Sequence, residues 1–387
     1  MDFNWTSINN FFAAVKDLTT IGAANILGAI IYGIFWFAMA ALLGTEQYGR
    51  ISYLITIGTM TSSISSSGAS NTIMVYTAKE QKIQTSIYFL VIILSIVASL
   101  IIFFIVYDIG VSLLVFGTAI FSLIISEHIG KKLYKDYSKY VISQRILLAG
   151  LGVGLYFLLG PHGIILGFAL SYFPYLIKLY RGSRDSKIDL GDIKLRLGFM
   201  AHSYAMDLST ILVLSTDKLI VYPMFGYSLL GNYQLGMQFL AVLTVLPGSV
   251  YQYILPRQAS GISDKKLVRM MVLVSVGLAV LGIFLAPKVI PLLFPKFKES
   301  VEIIQIMILA IVPTSINAFY ISRFFALERS RLVLTSSLIN LGIQTLSILL
   351  LGKIYGINGA AAAPVLGTSG ASIYLIIASK ILLKKTN

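Results

Sequence analysis

The chain has 387 residues, 57% of them hydrophobic and 12% charged, with a mean hydropathy of +0.85. A soluble domain carries roughly twice that charged fraction, so a water-soluble enzyme is excluded. The lack of cysteine also removes disulfides, thiol nucleophiles and cysteine-ligated metals.

The apolar residues fall into twelve blocks, near 16–43, 50–74, 85–106, 109–127, 140–159, 163–180, 198–223, 231–255, 267–286, 301–325, 332–352 and 357–379. Each is about the length that an α-helix needs to cross hydrocarbon, and helices are expected because lipid offers open backbone no hydrogen-bond partner. The start, Met-Asp-Phe-Asn-Trp-Thr, lacks the basic flank of a cleavable signal, so the first block reads as a span and its own insertion signal. With twelve spans and a cytoplasmic amino terminus, all but six of the 30 Lys and Arg fall in or beside cytoplasmic segments. Arg50, Lys288, Lys296, Lys298 and Lys353 fall outside, and Lys218 lies within a span. This positive-inside pattern puts both termini in the cytoplasm. The +14 charge is therefore topological, and no nucleic-acid partner is expected.

In chain order, the first span carries Asn25, and Arg50 opens the second. The second span is rich in hydroxyls, with Thr56, Thr59, Ser62, Ser63, Ser65, Ser66, Ser67 and Ser70 among them. Small hydroxyl residues allow close helix packing; so many in one span also admit a hydrated, sugar-facing wall. Arg145 stands in the fifth span. The segment 181–197, with Arg181, Arg184, Asp185, Lys187, Asp189, Asp192, Lys194 and Arg196, separates six spans from six. It reads as a cytoplasmic linker between an amino-terminal lobe, 1–180, and a carboxy-terminal lobe, 198–387. The seventh span places Ser203, Asp207, Thr210, Asp217 and Lys218 within a helical arc of roughly 100°. Such a stripe must face protein or water, because a charge in lipid costs several kcal/mol. Asp207 lies roughly 14 Å into its helix, which suits an ion-coupling or substrate-orienting carboxylate; the other reading is a structural bond to a neighbouring helix. Arg323 closes the tenth span. Guanidinium binds phosphate bidentately, so Arg50, Arg145 and Arg323 are candidate readers of a pyrophosphate, or else interfacial anchors.

The chain also repeats itself. Gly44 and Gly49, between the first two spans, are echoed by Gly226 and Gly231 between the seventh and eighth, and Gly160-Pro161-His162-Gly163 by Gly356-Ile357-Asn358-Gly359. The echoes read as tight external turns in two lobes that run parallel, because each holds an even number of spans. The first offset carries Asn25 onto Asp207, so both lobes hold an Asx residue at one depth. No P-loop, metal cluster or large external loop is present in the sequence, so a transporter is expected rather than an enzyme.

Four stretches, LLGTEQYGRISYL, STDKLIVYPMFGYSLLGNYQLG, YILPRQAS and YGINGAAAAP, resemble polysaccharide flippases of the Wzx type in the multidrug/oligosaccharidyl-lipid/polysaccharide exporter superfamily. The resemblance spans essentially the whole chain. It implies an all-α integral membrane fold of about twelve transmembrane helices in a V-shaped pair of six-helix lobes. The implied function is flipping of an isoprenoid-pyrophosphate-linked oligosaccharide, an O-antigen or similar repeat unit, across the cytoplasmic membrane by alternating access. Membrane lipids and polysaccharide-assembly proteins are the implied partners. No cofactor is expected; coupling would be to a proton or sodium gradient. The chain is short beside lipid II flippase relatives and ends without their two further helices, which points away from a peptidoglycan role. The alternatives are a cation-coupled multidrug antiporter of the same superfamily and a non-transporting partner of an assembly complex.

Overall fold

The computed structural model describes residues 5–177, 190–259 and 265–386. Arg181, Arg184, Asp185, Lys187 and Asp189 of the expected linker lie outside the described residues. The rest is helical: α1 Trp5–Leu42, α2 Thr45–Ser66, α3 Ala69–Ala78, α4 Gln84–Val106, α5 Ile109–Gly130, α6 Tyr134–Leu159 and α7 Pro161–Leu170. Then come α8 Leu190–Lys194, α9 Leu197–Ala259, α10 Lys265–Leu293, α11 Ser300–Ile308, α12 Ile311–Ala326, α13 Ser330–Ala361 and α14 Ala363–Thr386.

Nine segments among the described residues are long and apolar enough to cross a membrane. One of them, Leu197–Gly248, holds two spans, because α9 breaks at Gly226, where φ is 80° and ψ is 177°. The remaining predicted blocks are interrupted helices. The second block divides into α2 and α3, and the sixth is α7 followed by a 3-10 turn at Phe173–Tyr175. Apolar side chains face outward all along the spans; Phe157 and Phe284 are each 72% exposed. Such a surface would aggregate in water and is at home in lipid. The chain is an all-α integral membrane protein.

The helices form two compact units: Met1–Phe35 with Ile57–Leu208, and Trp36–Thr56 with Ser209–Asn387. This differs from the sequence division into 1–180 and 198–387 at two places. Residues 36–56 join the second unit through aromatic packing, with Phe37 4.8 Å from Phe239 and Tyr48 5.7 Å from Phe297. The start of α9 joins the first unit instead. Phe199 packs edge-on against Tyr76, and Gly68 lies on the backbone of Met200 and Tyr204. Buried Ile73, Ile87, Ile120 and Leu123 centre the first core. Val221, Tyr233, Met307 and Ile348 centre the second.

The glycine echoes take on a different meaning in three dimensions. Gly49 and Gly231 are crossing points of α2 on α9, inside the second unit, and not turn residues. A Cβ on Gly49 would overlap the carbonyl of Tyr227 and stand 2.7 Å from Gly231 N; one on Gly231 would overlap the carbonyl of Thr45. Tyr227 and Thr45 are separated by the same offset as Gly231 and Gly49, so the contact is reciprocal, as across a two-fold axis. A hydrogen bond between Thr45 Oγ1 and Ser228 Oγ, 2.9 Å, ties the crossing. The second echo is a true turn, entered at Gly160 with φ 68° and at Gly356 with φ 63°. Three residues on, Gly163 presses on the carbonyl of Leu155, as Gly359 does on that of Leu351. The repeat therefore extends to backbone conformation.

Candidate functional site

Arg145 is the centre of a polar cluster in the first unit. The structure extends its helix six residues below the predicted start, to Tyr134; the added residues include Lys135, Asp136 and Lys139, so Arg145 stays about 8 Å into the apolar part of the helix, as the sequence implied. Its guanidinium lies over the face of Tyr32 of α1, 4.5 Å from the ring centroid. The hydroxyls of Tyr137 and of the buried Tyr172 are within its electrostatic reach. Tyr137 Oη donates to Asn25 Oδ1 at 2.8 Å, so Asn25 belongs to this cluster. Behind it, Gln144 Nε2 donates to Ser171 Oγ at 2.9 Å, with both residues buried, and this fixes α6 against the segment that carries Tyr172. Gly28 keeps α1 close, with its Cβ position 3.6 Å from Arg145 Cγ. Among the described residues no carboxylate pairs with Arg145. A guanidinium held on an aromatic face, with two tyrosine hydroxyls within its field, can accept an anionic ligand without first breaking an ion pair.

A second polar point lies where α2 gives way to α3. Ser67 and Gly68 both take left-handed φ, 49° and 71°, and the chain resumes as helix at Ala69. One turn on, Asn71 Nδ2 donates to Asp207 Oδ1 at 3.0 Å. Asp207 is half-buried, with Ser203 buried one turn away. The hydroxyls of the second span mostly close back on their own helix: Ser65 and Ser66 both donate to Ser62 O, and Thr56 donates to Ser52 O. Such bonds satisfy hydroxyls in lipid and favour helix bending. Asn25 and Asp207, at matching depth in the repeat, have different partners.

The other expected residues lie in the second unit. Asp217 is buried, its Oδ1 accepting from Lys218 N at 2.8 Å and lying 3.4 Å from Lys218 Nζ. The ammonium also donates to Leu214 O at 2.9 Å, so Lys218 turns back into its own helix rather than reaching toward the interface. Thr210 is exposed. The polar stripe on α9 is thus shared out, with Ser203 and Asp207 in the first unit and Thr210, Asp217 and Lys218 in the second. Arg50 is exposed near Tyr227, which stacks on Tyr222 at 4.1 Å beside Tyr53. Arg323 Nη1 donates to Ser379 Oγ at 3.0 Å, near the end of α12.

Tyr32, Tyr137 and Tyr172 were not singled out from the sequence, and Asn71 was read only as one of the polar residues of the second span. The run Ser65-Ser66-Ser67-Gly68 was its one signal for the helix break. Among the described residues no group of His, Cys, Asp and Glu is arranged to hold a metal ion.

No family model matches the chain, and no curated protein matches it in sequence. Solved structures do match in fold. The inward-closed lipid II flippase MurJ aligns with a TM-score of 0.72 at 13% identity, over 93% of this chain and 87% of that one. A MATE bound to MaD5 aligns with a TM-score of 0.58 at 14% identity, over 96% and 97%. The Vibrio cholerae MATE transporter VcmN in its bent form gives 0.56 at 15% identity, over 96% and 97%. The chain has the fold shared by these proteins.

Proposed function

We propose that the chain is a flippase that carries an isoprenoid-pyrophosphate-linked oligosaccharide, an O-antigen or similar repeat unit, across the cytoplasmic membrane by alternating access. One observation supports this above the rest: Arg145, inside a membrane span, lies over Tyr32 and meets no carboxylate among the described residues. A cation at that depth costs several kcal/mol in lipid, a cost offset when a phosphate binds. Hydroxyl and aromatic groups around it suit the sugar that follows a pyrophosphate. The same fold in MurJ belongs to a lipid II flippase. The isoprenoid tail would stay in lipid while Arg145 receives the pyrophosphate, with both termini in the cytoplasm and polysaccharide-assembly proteins as partners. Asp207, held by Asn71 at a broken helix, is the proposed coupling carboxylate for a proton or sodium ion.

The test is flipping of a fluorescent prenyl-pyrophosphate-linked oligosaccharide in reconstituted vesicles. Arg145→Gln should slow it about 10- to 100-fold, the worth of one charge-assisted hydrogen bond or two. Unchanged flipping by that variant would overturn the assignment. Asp207→Asn should remove stimulation by an imposed ion gradient; an equal gradient response would remove Asp207 from the mechanism.

A second reading, a cation-coupled multidrug antiporter, draws on the same Asp207–Asn71 pair and on the MATE folds. Drug-dependent proton or sodium flux in the same vesicles, without flipping of the lipid-linked sugar, would select it.

A further inference from the structure

A cavity of about 620 Å³ opens in the second unit, where α12 turns into α13 beside α14. Its rim carries Glu328, Arg329 and Arg331, and its wall carries Tyr374, Ile377 and Ile381. The wall is rigid on its inner side, because Tyr374 packs on the buried Phe324, Val333 and Leu375. The Arg323–Ser379 hydrogen bond, 3.0 Å, ties α12 to α14 behind it. On its outer side the wall faces lipid. Ile377 and Ile381 are 51% and 54% exposed, and both lie in the apolar span Ala363–Ile381. Glu328 and Arg329 of the rim belong to the turn beyond α12, where Arg329 N donates to Phe324 O at 2.8 Å, and Arg331 to the first turn of α13. Among the described residues neither rim guanidinium has an ion pair or a hydrogen bond, although Glu328 is near both in sequence; Arg331 O accepts from Thr335 Oγ1. Two guanidinium groups and one carboxylate leave the rim one net positive charge.

The shape therefore has two chemistries at two depths: cations at the membrane edge, and an apolar wall running from them into the acyl region. Basic loops at a cytoplasmic edge are ordinary; a basic rim on a walled cavity open sideways to lipid is a more specific arrangement. We infer that this cavity seats an anionic phospholipid, its single phosphodiester on Arg329 and Arg331 and an acyl chain along Ile377 and Ile381. One net rim charge matches one phosphodiester, whereas a pyrophosphate brings more negative charge than the rim offsets. The site lies in the other unit from Arg145 and does not rest on the proposed transport function.

The test uses the full chain reconstituted in phosphatidylcholine bilayers doped with phosphatidylglycerol, then extracted in detergent, with retained lipid counted by native mass spectrometry. The wild type should keep one phosphatidylglycerol in preference to phosphatidylcholine. Arg329→Gln with Arg331→Gln should lower retention about thirtyfold, from roughly fivefold per arginine near a membrane surface. Arg329→Lys with Arg331→Lys should keep most of it, and Ile377→Trp, which fills the wall without altering charge, should lower it. Unchanged retention in the double glutamine variant, or equal retention of phosphatidylcholine by the wild type, overturns the inference. So does displacement of phosphatidylglycerol by an equal amount of a polyprenyl pyrophosphate, which would assign the cavity to the cargo instead.

Discussion

Arg145 and Lys218 are both basic side chains inside membrane spans, and their surroundings differ in kind. Lys218 is neutralised from within, with the buried Asp217 beside it in sequence and the carbonyl of Leu214 one turn back. Arg145 has an aromatic face and hydroxyls within reach but no carboxylate among the described residues. A charge paired within its own helix is costly to leave alone, because removing one partner strands the other. Under the proposed function, a charge left with polar, uncharged neighbours is open to an anionic ligand.

The contrast can be broken most decisively at Asp217. Asp217→Asn leaves a partly buried ammonium without its counter-charge and should destabilise by about 1–3 kcal/mol, read as a lower midpoint of thermal unfolding in detergent. Asp217→Asn with Lys218→Met should recover most of the loss; no recovery would mean that Asp217 matters for another reason. Removing the charge at Arg145 should act in the opposite way. Arg145→Gln should leave the unfolding midpoint unchanged or slightly higher while flipping falls, and a midpoint drop as large as that of Asp217→Asn would make Arg145 structural. The smallest effect is expected at Tyr32. Tyr32→Leu removes a cation–π contact of about 0.5–2 kcal/mol and should weaken flipping only a few-fold, through substrate affinity more than through maximal rate.

Much of the architecture was legible along the chain. Among the described residues the apolar blocks are helical apart from short breaks such as Ser67–Gly68, because lipid admits few other backbone solutions. Asp207 and Arg145 stand out by their polarity against an apolar background, and Asn25 by the repeat offset from Asp207. Their partners were not, because Tyr32, Tyr137 and Tyr172 look like ordinary membrane aromatics until three segments converge. The break after Ser67 was hidden as well. A run of serines ending in glycine is compatible with a continuous helix, and close approach of Gly68 to α9 accompanies the interruption.

The glycine echo marks the boundary between the two kinds of knowledge. Sequence alone determined that the chain is duplicated, that it crosses a membrane many times as helix, and which few polar residues lie at depth. These follow from local chemistry: apolar run length, the cost of charge in lipid, and a repeat that can be counted. Only the tertiary structure decided that Gly49 and Gly231 press on each other's helices through reciprocal carbonyl contacts. It also decided that residues 36–56 pack with the second unit and the start of α9 with the first. Those outcomes depend on which backbones approach closely enough to forbid a Cβ, a property of two segments distant in sequence that neither segment carries alone.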